Sequence, residues 1–351
     1  KRYYELNMQQ SKTLVRYYPF FQFVGTMLPV VCTILGGFSV LKNEMDIGSL
    51  VAYVEYSRNC TWPMQMLGWL ANDISSAFAS KKKIDKIVNQ HANLTEPDEP
   101  VILEKIKGEI TFENVSFSVE DKDILQDISF AVPQGKTLGI MGATGSGKST
   151  IVNLMQRFFD PVKGKVYLDG VDIKDLSFRQ VRGSNAVVMQ DVFLFSDTIA
   201  ENIKMGKRAT MPLEDIQKAS AFAQARDFIE DLENEYDTVI GERGVGLSGG
   251  QKQRISIARA VSKHAPILVM DDSTSALDME TEREIQKELE QLEETTKIII
   301  AHRISAVRHA DEIIYLENGR IAERGTHEEL LEKKGLYYDT YVVQYGVPVT
   351  V

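Results

Sequence analysis

The run Gly142-Ala143-Thr144-Gly145-Ser146-Gly147-Lys148-Ser149, followed by Thr150, constrains this chain more than any other feature. It fits the pattern G-x-x-x-x-G-K-[ST] of a loop that wraps phosphates. The apolar run 137–141 before it reads as a buried strand, and residues 150–158 after it read as a helix. A strand, a glycine-rich turn and a helix in that order commit the surrounding chain to an α/β layer arrangement. Glycine lets the backbone close round an anion. The inward N–H groups and the helix N-terminus then supply partial positive charge. Lys148 is placed to reach the β- and γ-phosphates, and the Ser149 hydroxyl to face Mg²⁺.

About a hundred residues downstream lies Leu247-Ser248-Gly249-Gly250-Gln251. Between and beyond these two motifs, apolar runs at 185–189, 267–270 and 297–301 alternate with helical segments, the pattern of a mainly parallel sheet. Ahead of the loop, Ile110, Phe112, Val115 and Phe117, then Leu125, Ile128, Phe130 and Val132, predict an antiparallel strand pair. The run 267–270 ends in Asp271-Asp272. An apolar strand ending in Asp is the second half of a phosphate-loop site, with Asp271 holding Mg²⁺ directly or through water.

The first part of the chain has a different character. Residues 17–41 carry no charge. As a helix they extend roughly 37 Å at about 1.5 Å per residue, enough to cross a hydrocarbon core of roughly 30 Å. A second span over 47–70 is interrupted by Glu55 and Arg58, three apart on one helix face, and reads equally as an interfacial helix. The short turn 42–46 between the two, with Lys1, Arg2, Lys12 and Arg16 before and Lys81, Lys82 and Lys83 after, favours a hairpin with both outer ends cytoplasmic. Residues 1–91 hold ten Lys/Arg against six Asp/Glu, a net +4. The whole chain is −10, which leaves −14 for the remainder and argues against nucleic acid as a partner. Cys32 and Cys60 lack metal-ligand spacing and a disulfide framework.

With these motifs in order, residues 109–335 resemble the nucleotide-binding domain of ABC transporters. Val188-Met189-Gln190 is similar to the Q-loop, Leu247–Gln251 to the signature, residues 275–278 to the D-loop and His302 to the switch histidine. Residues 238–244 resemble the segment with which exporters touch their coupling helices, and residues 1–91 the fifth and sixth membrane helices of an exporter half-transporter. The resemblance implies a partial transmembrane domain at 1–91, a linker at 92–108 and a nucleotide-binding domain at 109–351. The fold class is thus a membrane α-helical segment followed by an α/β P-loop NTPase domain, with a mainly parallel sheet, an antiparallel β subdomain and a helical subdomain. A half-transporter has six membrane helices, so the chain reads as N-terminally truncated. The implied cofactors are ATP and Mg²⁺, with Ser149, Gln190 and Asp271 around the metal and Asp272, Gln190 and His302 as catalytic residues.

In this family two such domains meet head to tail, so Ser248, Gly249, Gly250 and Gln251 would complete the partner's ATP site. Two positions depart from the family pattern. Asp272 stands where a catalytic glutamate belongs, and Val119 where a tyrosine stacks on adenine. A base must come within roughly 2.6–3.2 Å of its proton, and a displacement of about 1 Å costs on the order of 100-fold. Asp272 therefore reads as a weak base, unless backbone movement restores its reach. Implied partners are a second half-transporter subunit carrying the glutamate, the lipid bilayer of the cell membrane, and an exported amphipathic small molecule or peptide. The implied protein is a multi-pass subunit of a bacterial heterodimeric exporter of the multidrug type. Alternatives are a homodimer with two slow sites and a soluble or importer-type ATPase. Lys148→Ala is expected to abolish nucleotide crosslinking to this chain; undiminished labelling would remove the loop from the site.

Overall fold

A computed structural model describes residues 2–90, 94–120, 122–205, 211–241 and 244–346. The chain divides into two compact units, Lys1–Ala92 and Asn93–Val351. The first is a pair of long helices, α1 (Arg2–Leu41) and α2 (Ile47–Val88). Asp46 caps α2, its carboxylate accepting from Ser49 N at 3.1 Å. The helices touch where Gly36 faces Leu50, and any side chain at Gly36 would collide with it. Small residues at such a crossing suit close helix packing in lipid.

Over Tyr4–Leu41, α1 is long and apolar enough to cross a membrane, with mean hydropathy 1.9 in its apolar window. Among the described residues no other helix meets that measure. The expected second span, 47–70, is helical throughout but forms only the first part of a 42-residue helix that carries Glu55, Arg58 and the lysines 81–83.

In the second unit, β1 (Ile110–Val119) and β2 (Lys122–Val132) pair antiparallel as expected. Phe112 lies opposite Phe130, their rings stacked at 4.6 Å. The sheet continues through β4 (Lys163–Leu168) and β5 (Val171–Asp172), in the order β2-β1-β4-β5. Between them in sequence come β3 (Thr137–Gly142) and α3 (Lys148–Met155). The second sheet contains β3 with β6 (Asn185–Val188), β7 (Ile267–Asp271), β8 (Thr296–Ile300), β9 (Glu312–Glu317) and β10 (Arg320–Gly325), in the order β10-β9-β3-β8-β7-β6. All its pairings are parallel except β9 with β10. Its central strands are buried apolar runs, as a sheet covered on both faces requires.

Helices cover the sheets. α4 (Phe178–Gly183) precedes β6. α5 (Ile199–Ile203), α6 (Leu213–Phe222), α7 (Arg226–Glu230) and α8 (Gly249–Val261) make a helical layer with its own core, in which Ile199, Ile203, Ile229, Ile255 and Ile257 are fully buried. α9 (Met279–Glu290) and α10 (Ile304–Val307) flank β8, and α11 (His327–Lys333) and α12 (Leu336–Tyr345) close the unit.

The stretch expected as a linker is pinned to this unit over 95–109. Arg157, buried at the end of α3, donates to Thr95 O at 2.9 Å. Phe178 N donates to the Glu96 carboxylate at 2.6 Å, and Val101 bridges to Leu176. The Asp169 carboxylate accepts the N–H groups of Lys107, Gly108 and Glu109 at 2.6–2.9 Å. Glu242 and Arg243, within the segment expected to touch coupling helices, lie outside the described residues.

The closing helices rest on His327, whose Nδ1 is 2.6 Å from the hydroxyl of fully buried Tyr337. Burial holds the imidazole below its ordinary value, with Arg308 and His309 adding to this and Glu328 opposing it. The folded state thus favours the neutral ring. This stability is present above the unfolded value of about 6.5 and is lost as pH falls through the lower folded value. Acidification from pH 8 to 5 is expected to lower the melting temperature, and His327→Phe to flatten that acid-side loss. Parallel curves for the two proteins would show that His327 is not the titrating group.

Candidate nucleotide site

The sheet order brings three chain segments to one edge. β3 lies between β9 and β8, and β7 follows β8, so Ile300 has Ile140 on one side and Asp271 on the other. The loop after β3, the Asp271-Asp272 end of β7 and His302 after β8 therefore share the carboxyl edge of the sheet. That edge is where ligands sit in open α/β sheets.

Glycine is indispensable at two points of the loop. Gly142 has φ 145°, and a side chain there would strike the Leu316 carbonyl of the adjacent strand. Gly147, the N-cap of α3, has φ 104°, and a Cβ would come 2.5 Å from Leu125 Cδ2. Lys148 is buried and curls back, Nζ donating to Gly142 O at 2.8 Å and Ala143 O at 2.9 Å. Its ammonium thus already occupies the mouth of the cradle. Burial pushes its pKa below the usual lysine range, while Asp271 and Asp272 oppose that. Ser146 Oγ is buried without a hydrogen-bond partner, a polar atom that an anion in the loop would satisfy.

The Ser149 hydroxyl donates to the Asp271 carboxylate. Burial pushes this carboxyl above the usual carboxylate range and Asp272 adds to the shift; Ser149, Lys148 and His302 work against it. Among the described residues no cluster of three or more His, Cys, Asp or Glu side chains forms a metal cage. A hydroxyl and one carboxylate suit Mg²⁺, which takes few protein ligands and fills its octahedron with water and phosphate oxygens.

Asp272 has φ 45°, a left-handed conformation that a non-glycine residue adopts at a cost. Its N–H donates to Ile300 O at 2.8 Å. Its carbonyl accepts from Ser275 Oγ at 3.0 Å and from Gln253 Nε2 at 3.4 Å. His302 is exposed at this edge, its carbonyl accepting from Gln344 Nε2 at 2.6 Å. Val119 is half exposed at the end of β1 and offers an apolar surface without a π face.

Not every expected residue joins this constellation. Gln190 is exposed two residues beyond β6, which lies three strands from β3 in the sheet order. Ser248 and Gln251 bond to each other: Ser248 Oγ accepts from Gln251 N at 3.3 Å, and Gln251 Oε1 accepts from Ser248 N at 2.9 Å. This capping box starts α8 with Ser248 and Gly249 exposed.

Sequence reasoning passed over Glu282 and Gln253, whose roles depend on contacts across the fold. Buried Glu282 accepts from Thr274 Oγ1 at 3.0 Å and Ser305 Oγ at 3.3 Å, and lies 3.7 Å from Arg303. It binds the turn after Asp272 to the loop carrying His302. Arg259 secures the other end of α8, donating to Asn202 O and Phe193 O, both at 2.8 Å; burial lowers its pKa to about 10.

A family model for ABC transporters matches residues 125–275. Over 341 residues the chain is 42% identical to the "Uncharacterized ABC transporter ATP-binding protein YknU" of Bacillus subtilis, covering 96% of this chain and 58% of the relative. It is 38% identical over 334 residues to an ATP-dependent lipid A-core flippase of Vibrio vulnificus, covering 93% of this chain and 56% of the flippase. Among solved structures, that of a bacterial Atm1-family ABC exporter with ATP bound superposes with TM-score 0.76 at 32% identity, covering 99% of this chain and 61% of that one. The chain thus spans a little over half the length of the curated relatives it matches.

The raised pKa of Asp271 fixes the sign of one substitution. Its ionised form is disfavoured in the nucleotide-free fold, so stability from this group is present at low pH and is lost as pH rises through the raised folded value. Asp271→Asn is expected to raise the melting temperature of the nucleotide-free protein at neutral pH, by roughly 2–4 °C for each 1 kcal/mol of penalty removed. It should also erase the additional stabilisation by Mg²⁺-ATP. A melting scan with and without Mg²⁺-ATP checks both; a lower nucleotide-free melting temperature would contradict the reading.

Proposed function

We propose that this chain is a subunit of an ATP-driven membrane exporter, with residues 125–275, which match a family model for ABC transporters, forming its ATPase domain. α1 anchors the subunit in the cell membrane as part of a multi-pass domain, and the nucleotide-binding domain lies on the cytoplasmic side. The cargo is an amphipathic small molecule, lipid-like or peptide in character, in keeping with the similarity to a lipid flippase.

The pinned backbone of Asp272 carries the finer reading. Its N–H and carbonyl both have partners, so the backbone offers little movement to compensate for a side chain one methylene shorter than glutamate. This supports a slow site on this chain. The exposed capping box at Ser248 supports a signature presented to another molecule, which we assign as a second subunit carrying the glutamate.

In the chain's own site, Lys148 exchanges its bonds to Gly142 and Ala143 carbonyls for the phosphates. Ser146 Oγ and the loop N–H groups add donors. Ser149, Asp271 and Gln190 would hold the metal. Mg²⁺ held by these residues would neutralise charge that develops on the phosphates. Asp272 orients water at long reach, and His302 contacts the γ-phosphate. Across the dimer, Ser248, Gly249, Gly250 and Gln251 close the partner's site with the positive end of α8.

Two measurements on the assembled transporter test this. Asp272→Asn should lower total ATPase only a few-fold, about what loss of an already weak base costs, whereas Glu→Gln in the partner should cost roughly 10²–10⁴-fold. Loss of all activity with Asp272→Asn alone would make Asp272 a working base and favour a homodimer. Ser248→Arg should collapse ATPase while ATP crosslinking to this chain survives. Persisting activity would refute the head-to-tail arrangement.

A further inference from the structure

Inside this one chain, the signature segment and the chain's own catalytic strand end meet through a single buried side chain. Gln253 lies on α8, five residues after Ser248, and is 2% exposed. Its amide faces the turn that follows β7. Nε2 donates to the Asp272 carbonyl at 3.4 Å, and Oε1 accepts from Ala276 N at 3.0 Å. The same turn presses on the start of the helix. A Cβ at Gly250 would stand 3.2 Å from the Ala276 carbonyl, and one at Gly249 3.8 Å from Ala276 Cβ.

We propose that Gln253 is a positioning residue that couples this chain's own nucleotide site to the signature segment it presents to the partner. The proposal rests on the head-to-tail reading above. Three features carry it. First, the side chain needs both halves of an amide, one donor and one acceptor, at the reach of glutamine. Second, the carbonyl it binds belongs to Asp272, whose backbone is held in a left-handed conformation. Because that backbone is held at both its N–H and its carbonyl, a shift of the β7 end on nucleotide binding carries the turn and the Gln253 amide with it. Third, α8 transmits movement as a rigid body. Its N-terminus is closed by the capping box, its middle is buried through Ile255, Ile257 and Ala258, and Arg259 fixes its far end. Displacement of the 272–276 turn therefore displaces Ser248 and Gly249 rather than bending the helix. A chain whose own site turns over slowly thereby reports its occupancy to the site that its signature completes.

The test uses the assembled transporter with Gln253→Leu, which removes both hydrogen bonds at similar volume, and Gln253→Asn, which keeps the amide but draws it back by one methylene. ATPase rate against ATP concentration is measured together with nucleotide crosslinking to this chain. Gln253→Leu is expected to lower kcat about tenfold, with KM and crosslinking changed less than about twofold; Gln253→Asn should fall between it and the parent. A merely structural amide would lower kcat and crosslinking together, and that result overturns the proposal, as does an unchanged kcat. If the leucine variant does not assemble, the asparagine variant supplies the same readouts and decides between the same outcomes. Ser248→Arg in parallel separates the two readings. Activity surviving Ser248→Arg sinks the head-to-tail arrangement. Activity lost with Ser248→Arg but retained in both Gln253 variants sinks only the coupling.

Discussion

The closure of residues 142–149 into a tight cradle is the constraint on which the rest depends. The loop turns back on itself within a few residues and passes so close to β9 and β2 that Gly142 and Gly147 leave no room for a side chain. Both also need positive φ, which only glycine adopts freely. The cradle is therefore a joint property of the loop and of the strands packed against it. Moving β9 or β2 would open it as surely as replacing a glycine.

The charges at this edge are arranged for a ligand rather than for the stability of the domain alone. Lys148 is buried against backbone carbonyls, and Asp271 is half-buried beside Asp272. Each carries an ionised form that burial disfavours, in opposite directions for the cation and the acid. In the function proposed above, a polyphosphate and its metal would supply counter-charges to both. The same logic explains why Ser146 leaves a buried hydroxyl unpaired. Functional sites of this kind hold unfavourable groups in place through the packing of everything around them.

That packing reaches further than the loop. Glu282 joins the 274–275 region to the loop of His302, Arg259 fixes the far end of α8, and Arg157 and Asp169 hold the 95–109 stretch against the sheet. In each case one long polar side chain satisfies backbone or hydroxyl groups from distant parts of the sequence. Buried polar groups must be paired, so these side chains fix the relative positions of segments that apolar contacts alone would allow to slide.

The sequence by itself determined the elements and the chemistry at their ends. Local patterns sufficed: an apolar run before the glycine loop, another ending in Asp271-Asp272, the alternation that pairs Phe112 with Phe130, and the uncharged stretch 17–41. These signals are legible because hydrophobic periodicity and glycine spacing act over a few residues. The tertiary structure decided the rest. It set the strand order that puts Asp271 and His302 beside the loop. It pinned a proline-containing stretch that composition marks as a connection, through an arginine and an aspartate about sixty residues away. It also gave Gln253 and Glu282 their partners. Such contacts carry no periodic signal, because a hydrogen bond between distant residues depends on where the fold places them and not on what precedes them in the chain.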